Sequence, residues 1–173
     1  TENDNLFIYY DDHGGQGILS VPNEESGMIS VDELSDVFLE MNNRKLFKNC
    51  LFVIEACNSG SIGSYMEDIF DLYNVKNVAI ITAARANESS LSSQNDVWVN
   101  TPLSNEFTIA FIDKIRQSPD FSISELFDYL GSEVKGSTPC YYGDENIKNL
   151  RISDLIGTAP PEIVQKAKKV SQI

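Results

Sequence analysis

The sequence has little basic charge, few cysteines and a single histidine. Its 173 residues include 13 Lys and Arg against 26 Asp and Glu, for a net charge of −13. Nucleic acids and anionic membrane surfaces are polyanions, so a chain this acidic is predicted to bind neither. No apolar run approaches the ~20 residues of a membrane span. What remains is a globular domain with an ordinary hydrophobic content of 42%.

The cysteines and the histidine do not form a recognisable metal site. Cys50, Cys57 and Cys140 have a spacing that fits no zinc-binding pattern. The segment 22–33 imitates a calcium loop, but proline stands where such a loop needs aspartate. We therefore predict no metal and no cofactor.

Two apolar runs end in residues that can do chemistry. Phe7–Tyr10 is followed by Asp-Asp-His-Gly-Gly, and Leu51–Ile54 is followed by Glu-Ala-Cys-Asn-Ser-Gly. Such runs are typical of central strands in a parallel sheet, where chemistry lies beyond the carboxyl ends of the strands. His13 and Cys57 are therefore predicted to meet at one edge of the sheet, as the base and the nucleophile of a cysteine enzyme.

A structural interpretation of both residues stays open. A lone cysteine after a strand is more often an inert buried thiol, and a lone histidine is often structural. The glycines that follow His13 favour catalysis, because they let a substrate backbone approach closely and leave amide groups free to contact it.

The order of apolar patterns predicts an α/β domain with a mainly parallel sheet. Strands are predicted at 6–10, 51–56, 78–83 and 150–153. Helices are predicted at 31–47, 64–73, 102–117, 123–135 and 160–171, and the first, third and fourth are predicted to begin at the capping signals Ser30–Glu33, Thr101-Pro102 and Ser122–Glu125. On the first helix, the residues predicted to face the core are Leu34, Val37, Phe38 and Met41. Residues 1–157 should form one domain, and residues 158–173 a terminal helix or linker.

Three motifs in order, DDHGGQGIL, VIEACNSGS and TAARANESS, resemble the legumain family of caspase-like cysteine endopeptidases. The resemblance extends to about Gly157 and implies a three-layer α/β/α caspase-like domain. It implies that Cys57 is the nucleophile, that His13 is the catalytic histidine, and that Gly14 donates an amide to the oxyanion hole. It also matches Asp12 to an aspartate linked to ligase side-activity in legumains.

The same resemblance implies a pocket for the substrate side chain before the scissile bond (P1). Glu55 matches an acidic wall of that pocket, and Ser89 and Ser90 match serines beside it. Asn105 falls where the family has a further acid, and a shift of one residue would place Glu106 there instead. Structural alternatives stay open: Glu55 as a cap of the following turn, and both serines as ordinary loop residues. The implied activity is hydrolysis of peptide bonds after asparagine, with aspartate as a second choice.

Family members carry further strands and a pocket arginine before the point where this chain starts. Without them the strand at 6–10 has an unpaired apolar edge, which natural proteins avoid. We therefore expect the remainder of the domain as a partner: cleaved but still bound, supplied by another chain, or removed. The other expected partner is a peptide or protein substrate.

Two alternative functions stay open. One is the catalytic subunit of an enzyme like the glycosylphosphatidylinositol transamidase, which shares the fold and the histidine-cysteine pair. The other is a non-catalytic α/β binding module. Family resemblance implies a lysosomal, vacuolar or secretory compartment.

Overall fold

The computed structural model describes residues 1–22, 27–92, 100–101, 104–118 and 120–157. In chain order the strands are β1 (Asn5–Asp11), β2 (Gly14–Gly15), β3 (Ile18–Ser20), β4 (Met28–Ser30), β5 (Asn49–Glu55), β6 (Val78–Thr82) and β7 (Cys140–Gly143). The helices are α1 (Val31–Asn43), α2 (Ser59–Leu72), α3 (Glu106–Gln117), α4 (Ile123–Glu133) and α5 (Ile152–Ile156), with a 3₁₀ helix at Glu145–Asn149.

The central sheet has the order β1-β5-β6-β7. Its first three strands are parallel, and β7 runs antiparallel to β6. Strand β5 is buried along almost its whole length, as its unbroken apolar sequence predicts for a central parallel strand. The prediction of an α/β domain with a mainly parallel sheet is confirmed.

Helices cover both faces of this sheet, because successive strand residues point to opposite faces. On one face, α3 and α4 enclose a core that includes Leu51, Val53, Ile81, Phe107, Leu126 and Leu130. On the other face, α1 and α2 enclose a core that includes Phe52, Ile54, Ile80, Phe38, Ile62 and Met66. The domain therefore has three layers.

Both predicted capping boxes are present, at Ser30 with Glu33 and at Ser122 with Glu125. The helix ends differ from prediction. Helix α1 ends at Asn43 rather than 47, and α4 ends at Glu133 rather than 135. Helix α2 already begins at Ser59, because the chain turns into it directly after Cys57.

The predicted start of α3 at Thr101-Pro102 is wrong. The helix begins at Glu106, and the Asn105 side chain caps it by accepting the Thr108 N–H at 2.7 Å. Asn105 is a favourable place for the helix to begin, because asparagine is among the strongest N-cap residues. Pro102 itself lies outside the described residues.

The predicted strand at 150–153 is also wrong. Arg151 makes a single bridge to Ser122, and α5 follows, where Asp154 accepts the Arg151 N–H. The fourth strand of the sheet is instead β7. A separate three-stranded sheet, β2-β3-β4, was not predicted, because its strands are two or three residues long.

Two remaining predictions concern surface and terminus. Val37 is 54% exposed, so the prediction that it faces the core is wrong, whereas Phe38 is buried and Leu34 and Met41 pack against the same core. The predicted helix at 160–171 lies outside the described residues. Within the described part of the chain, no helix combines the length and apolarity needed to cross a bilayer.

Candidate active site

A cavity of about 350 Å³ opens at the carboxyl ends of β1 and β5. Its lining residues are Asp11, Asp12, His13, Glu55, Cys57, Ser90, Leu91, Ser92, Ser104 and Asn105. The two parallel strands thus deliver an imidazole and a thiol to one cavity, as expected from the position of each residue just past a strand.

Cys57 lies in the sharp turn that joins β5 to α2. The next residue, Asn58, has the left-handed backbone angle φ of 56°, which asparagine tolerates better than most residues. The Asn58 N–H donates to the Glu88 carbonyl at 2.8 Å, and its side-chain amide donates to the Ala86 carbonyl at 2.9 Å. These bonds fix the turn and leave the Cys57 thiol half-buried at the cavity, with Sγ 3.6 Å from the Ser90 carbonyl oxygen.

Gly14 lies directly behind this turn. A Cβ atom on Gly14 would come within 2.8 Å of both the Ala56 Cβ and the Cys57 carbonyl oxygen. The Ser20 N–H donates to the His13 carbonyl, so Gly14 pairs with Leu19 at the alternate, non-hydrogen-bonded position of the β2–β3 ladder. The Gly14 N–H therefore points away from β3. The Cys57 N–H also makes no hydrogen bond among the described residues.

His13 is exposed to the cavity and is held through its backbone. Its carbonyl accepts the Tyr10 hydroxyl at 2.7 Å and the Ser20 N–H at 2.9 Å. Its N–H donates to Asp12 Oδ1 at 2.7 Å. Asp12 thus fixes the backbone at His13, and its carboxylate also lines the cavity.

Glu55 is the buried acid of the cavity, with only 5% of its surface exposed. The Ser90 hydroxyl donates to Glu55 Oε1. Burial is the main cause that raises the pKa of Glu55 from 4.5 to about 6, and the charge of Asp11 adds to it. Ser89 is exposed and does not line the cavity, so only one of the two predicted serines is there.

Asn105 lines the cavity, and Glu106 does not. Glu106 Oε2 accepts the backbone N–H groups of Lys135 and Gly136 at 3.1 and 2.8 Å, which ties it to the end of α4. The Asn105 amide instead donates to both carboxylate oxygens of Asp11, at 3.1 and 3.2 Å. Sequence reasoning missed Asp11, and its only sequence signal is the Asp-Asp pair at the end of the first strand.

Sequence reasoning also missed Glu88, which anchors the loop after β6. Its Oε2 accepts the Arg85 N–H at 3.0 Å and the Thr138 N–H at 2.8 Å. These contacts hold the pKa of Glu88 below its usual value, and the hydrogen bond from the Arg85 N–H has the largest effect. Because the same loop contributes Ser90 and the Ala86 carbonyl, Glu88 supports one wall of the cavity from behind.

Cys50 differs sharply from Cys57. It is fully buried in the core, and burial raises the pKa of its thiol to about 12. A thiol of this kind stays protonated and unreactive. Of the two cysteines on β5 and its end, only Cys57 contacts the cavity.

Glu55 should give the domain a distinct pH dependence of stability. Between pH 4.5 and 6 the folded protein keeps the Glu55 proton while the unfolded chain loses it, so stability falls as the pH rises, by about 2 kcal/mol in total. Glu55→Gln should remove this fall. Urea unfolding of both proteins across pH 4.5 to 7 measures it, with Glu40→Gln on exposed α1 as the control. Parallel curves for the Glu55 variant and the wild type would contradict the expectation.

Comparison with known proteins identifies the family. The sequence model of the Peptidase C13 family matches residues 1–158. The chain belongs to this family. Family membership confirms the resemblance found in the motifs.

Individual relatives agree with this assignment. Rat legumain is 28% identical over 156 residues, which cover 89% of this chain and 34% of that protein. Human GPI-anchor transamidase is 26% identical over 97% of this chain and 42% of that protein. The chain thus spans less than half the length of either relative.

A solved structure confirms the fold class. Caspase-1 from Spodoptera frugiperda superimposes with a TM-score of 0.56 at 16% identity, over 81% of this chain and 60% of that one. The three-layer domain is therefore caspase-like.

Proposed function

We propose that this chain carries the active site of a cysteine endopeptidase that cleaves peptide bonds after asparagine. One observation carries the proposal: Cys57, His13 and the buried acid Glu55 line a single cavity at the ends of two neighbouring parallel strands. A nucleophile, a base and a polar pocket in one place are the parts that acyl transfer needs.

The chemistry follows from these positions. The Cys57 sulfur attacks the scissile carbonyl carbon, and its proton passes through His13 to the leaving amine. A thioester joins the substrate acyl group to Cys57. Water, deprotonated by His13, then attacks the thioester and releases the acid product and the thiol. The amides of Gly14 and Cys57 hold the oxyanion in both steps, a contribution of roughly 3–4 kcal/mol for each donor.

The pocket suits a side-chain amide. The Glu55 carboxyl accepts an N–H, and Ser90 holds that carboxyl in place. Ser92, Ser104 and Asn105 add further polar groups to the lining. A purely apolar P1 side chain would cover these polar groups without offering them hydrogen-bond partners, which costs affinity.

A transamidase is the second candidate. The GPI-anchor transamidase comparison covers 97% of the chain, at an identity close to that of the legumains. In that case the same Cys57 thioester forms, but an amine attacks it in place of water. Under both candidates we propose a lysosomal, vacuolar or secretory compartment, and the family resemblance supports this proposal.

The remainder of the domain is a proposed partner at the free edge of β1. This strand pairs with β5 on one side only among the described residues. Three apolar residues of the flanking helices are exposed: Val37 on α1 to 54%, and Ile109 and Ile112 on α3 to 41% and 40%. A further strand on β1 would satisfy its outward backbone groups. Hydrogen exchange tests this: the outward β1 amides should become protected when that partner is added.

Hydrolysis of matched fluorogenic peptides tests the function. The set carries asparagine, aspartate, arginine or alanine at P1 and spans pH 4 to 8, with intact protein beside Cys57→Ala. Thiol-dependent cleavage of the asparagine peptide is the expected result. Cleavage seen only when an amine acceptor is supplied would favour the transamidase. If Cys57 forms no acyl-enzyme with any peptide, the non-catalytic binding module is the remaining candidate.

A further inference from the structure

Asp11 and Glu55 stand side by side at the edge of the cavity. They are register partners at the ends of parallel strands β1 and β5, so their side chains project on the same face. Both line the cavity that contains Cys57. Like charges placed directly opposite each other destabilise a sheet, and the charge of Asp11 raises the pKa of Glu55 accordingly.

Asp11 is held in this position by donors from the start of α3. The Asn105 amide donates to both of its oxygens, and the Thr108 hydroxyl donates to Oδ2 at 2.7 Å. The Tyr9 hydroxyl, 2.8 Å from the Thr108 hydroxyl, completes the chain. These contacts orient the carboxylate toward the start of α3.

No cation of the described chain neutralises the pair. Neither Asp11 nor Glu55 forms an ion pair among the described residues, and none of the residues that line the cavity is Lys or Arg. Two adjacent carboxylates without a counter-charge, beside a nucleophile, are the arrangement expected where a ligand supplies the N–H groups.

We propose that Asp11 is a specificity-determining residue, which together with Glu55 forms an acidic wall that accepts P1 side chains with N–H groups and rejects a P1 carboxylate. This proposal rests on the proposed function and names the residue that discriminates asparagine from aspartate. Asparagine and aspartate have nearly the same shape, so the discrimination is one of charge.

The test exchanges a carboxylate for an amide of the same shape, once in the protein and once in the P1 side chain of the peptide. Asp11→Asn removes the charge, and the peptides differ only in asparagine or aspartate at P1. At pH 7 the asparagine-to-aspartate ratio of kcat/KM should fall at least about tenfold in the variant, because a juxtaposed like charge has been removed. Asp68→Asn, on the exposed face of α2, removes the same charge elsewhere and should leave the ratio unchanged.

An exchange of the two partners sharpens the test. In the double variant D11N/N105D the hydrogen-bonded pair is kept with its polarity reversed, and aspartate at 105 still caps α3. The ratio should recover most of its wild-type value. A ratio that stays at the level of the single variant would overturn the assignment of selectivity to this carboxylate charge.

Alkylation of Cys57 separates this inference from the proposed function. Acyloxymethyl ketones with asparagine or aspartate at P1 report on the pocket even where no peptide is hydrolysed. One outcome is that the wild type is labelled selectively by the asparagine probe, that Asp11→Asn loses this selectivity, and that neither protein hydrolyses peptide. That outcome would refute the endopeptidase proposal and support the inference. Hydrolysis with the same P1 ratio in wild type and Asp11→Asn would overturn the inference alone, as would labelling of the wild type without P1 preference.

Discussion

Cys57→Ala is expected to remove peptide hydrolysis while the domain stays folded. The side chain is half-buried at the cavity and contributes no core packing comparable to that of Cys50, so losing its sulfur should change stability little. Without the thiolate no thioester can form, and kcat should fall by at least about 10³-fold. Initial rates on the asparagine peptide, beside a thermal unfolding curve for each protein, measure both effects.

Cys140→Ala is the matched control for this change. Cys140 is also a half-buried free cysteine, but it lies on β7 outside the cavity. Its replacement should leave the rate within about threefold of wild type, as expected for a site remote from the chemistry. A Cys57→Ala protein that still cleaves the peptide, with a folded unfolding profile, would refute the nucleophile assignment.

His13→Ala should cause a loss of the same order, and the double variant should be no slower than the slower single variant. Two residues that act as one unit give such non-additive effects, because the second has no function once the first is gone. Losses that multiply in the double variant would instead show that His13 and Cys57 act independently.

The site residues at strand ends were predictable because the carboxyl edge of a parallel sheet is a general location for chemistry. His13 and Cys57 follow apolar runs of the right length, and the sheet brings both to one cavity. Asp11 was not predictable in the same way. Its placement depends on the register that sets it opposite Glu55, and on the hydrogen bond from Asn105, which lies far along the chain.

The missed elements have a common physical cause. Strand β7 is four residues long and half-buried, so its alternation is too short to separate it from a turn. Helix α3 starts where the Asn105 side chain accepts the Thr108 N–H, and not at Thr101-Pro102, which is the stronger sequence signal. Sequence patterns predict the deeply buried strands and helices, whereas tertiary contacts decide which short strands form at the sheet edge and where helices begin.

Gly14→Ala should separate the geometry of the active site from the presence of its reactive groups. The new Cβ would lie 2.8 Å from the Ala56 Cβ and from the Cys57 carbonyl oxygen. Neither atom can rotate away, since Ala56 is 1% exposed and the carbonyl is backbone. The β1–β2 segment or the Cys57 turn must therefore move by several tenths of an ångström. We expect about 100-fold slower hydrolysis, because small misplacements of this kind are costly to catalysis, together with a stability loss of about 1–3 kcal/mol.

Gly131→Ala shows what the same substitution does where there is room. A Cβ on Gly131, within α4, would meet no atom of the described residues within 4 Å apart from the helix's own backbone. Alanine should therefore stabilise the helix by about 0.5–1 kcal/mol and leave the rate unchanged. Alkylation of Cys57 by iodoacetamide should persist in Gly14→Ala, since the thiol remains. If Gly14→Ala hydrolyses peptide as fast as Gly131→Ala, the oxyanion hole does not depend on the close contact of Gly14 with the nucleophile turn. Slow hydrolysis with a reactive thiol would instead locate the defect in the alignment of the amides with the sulfur.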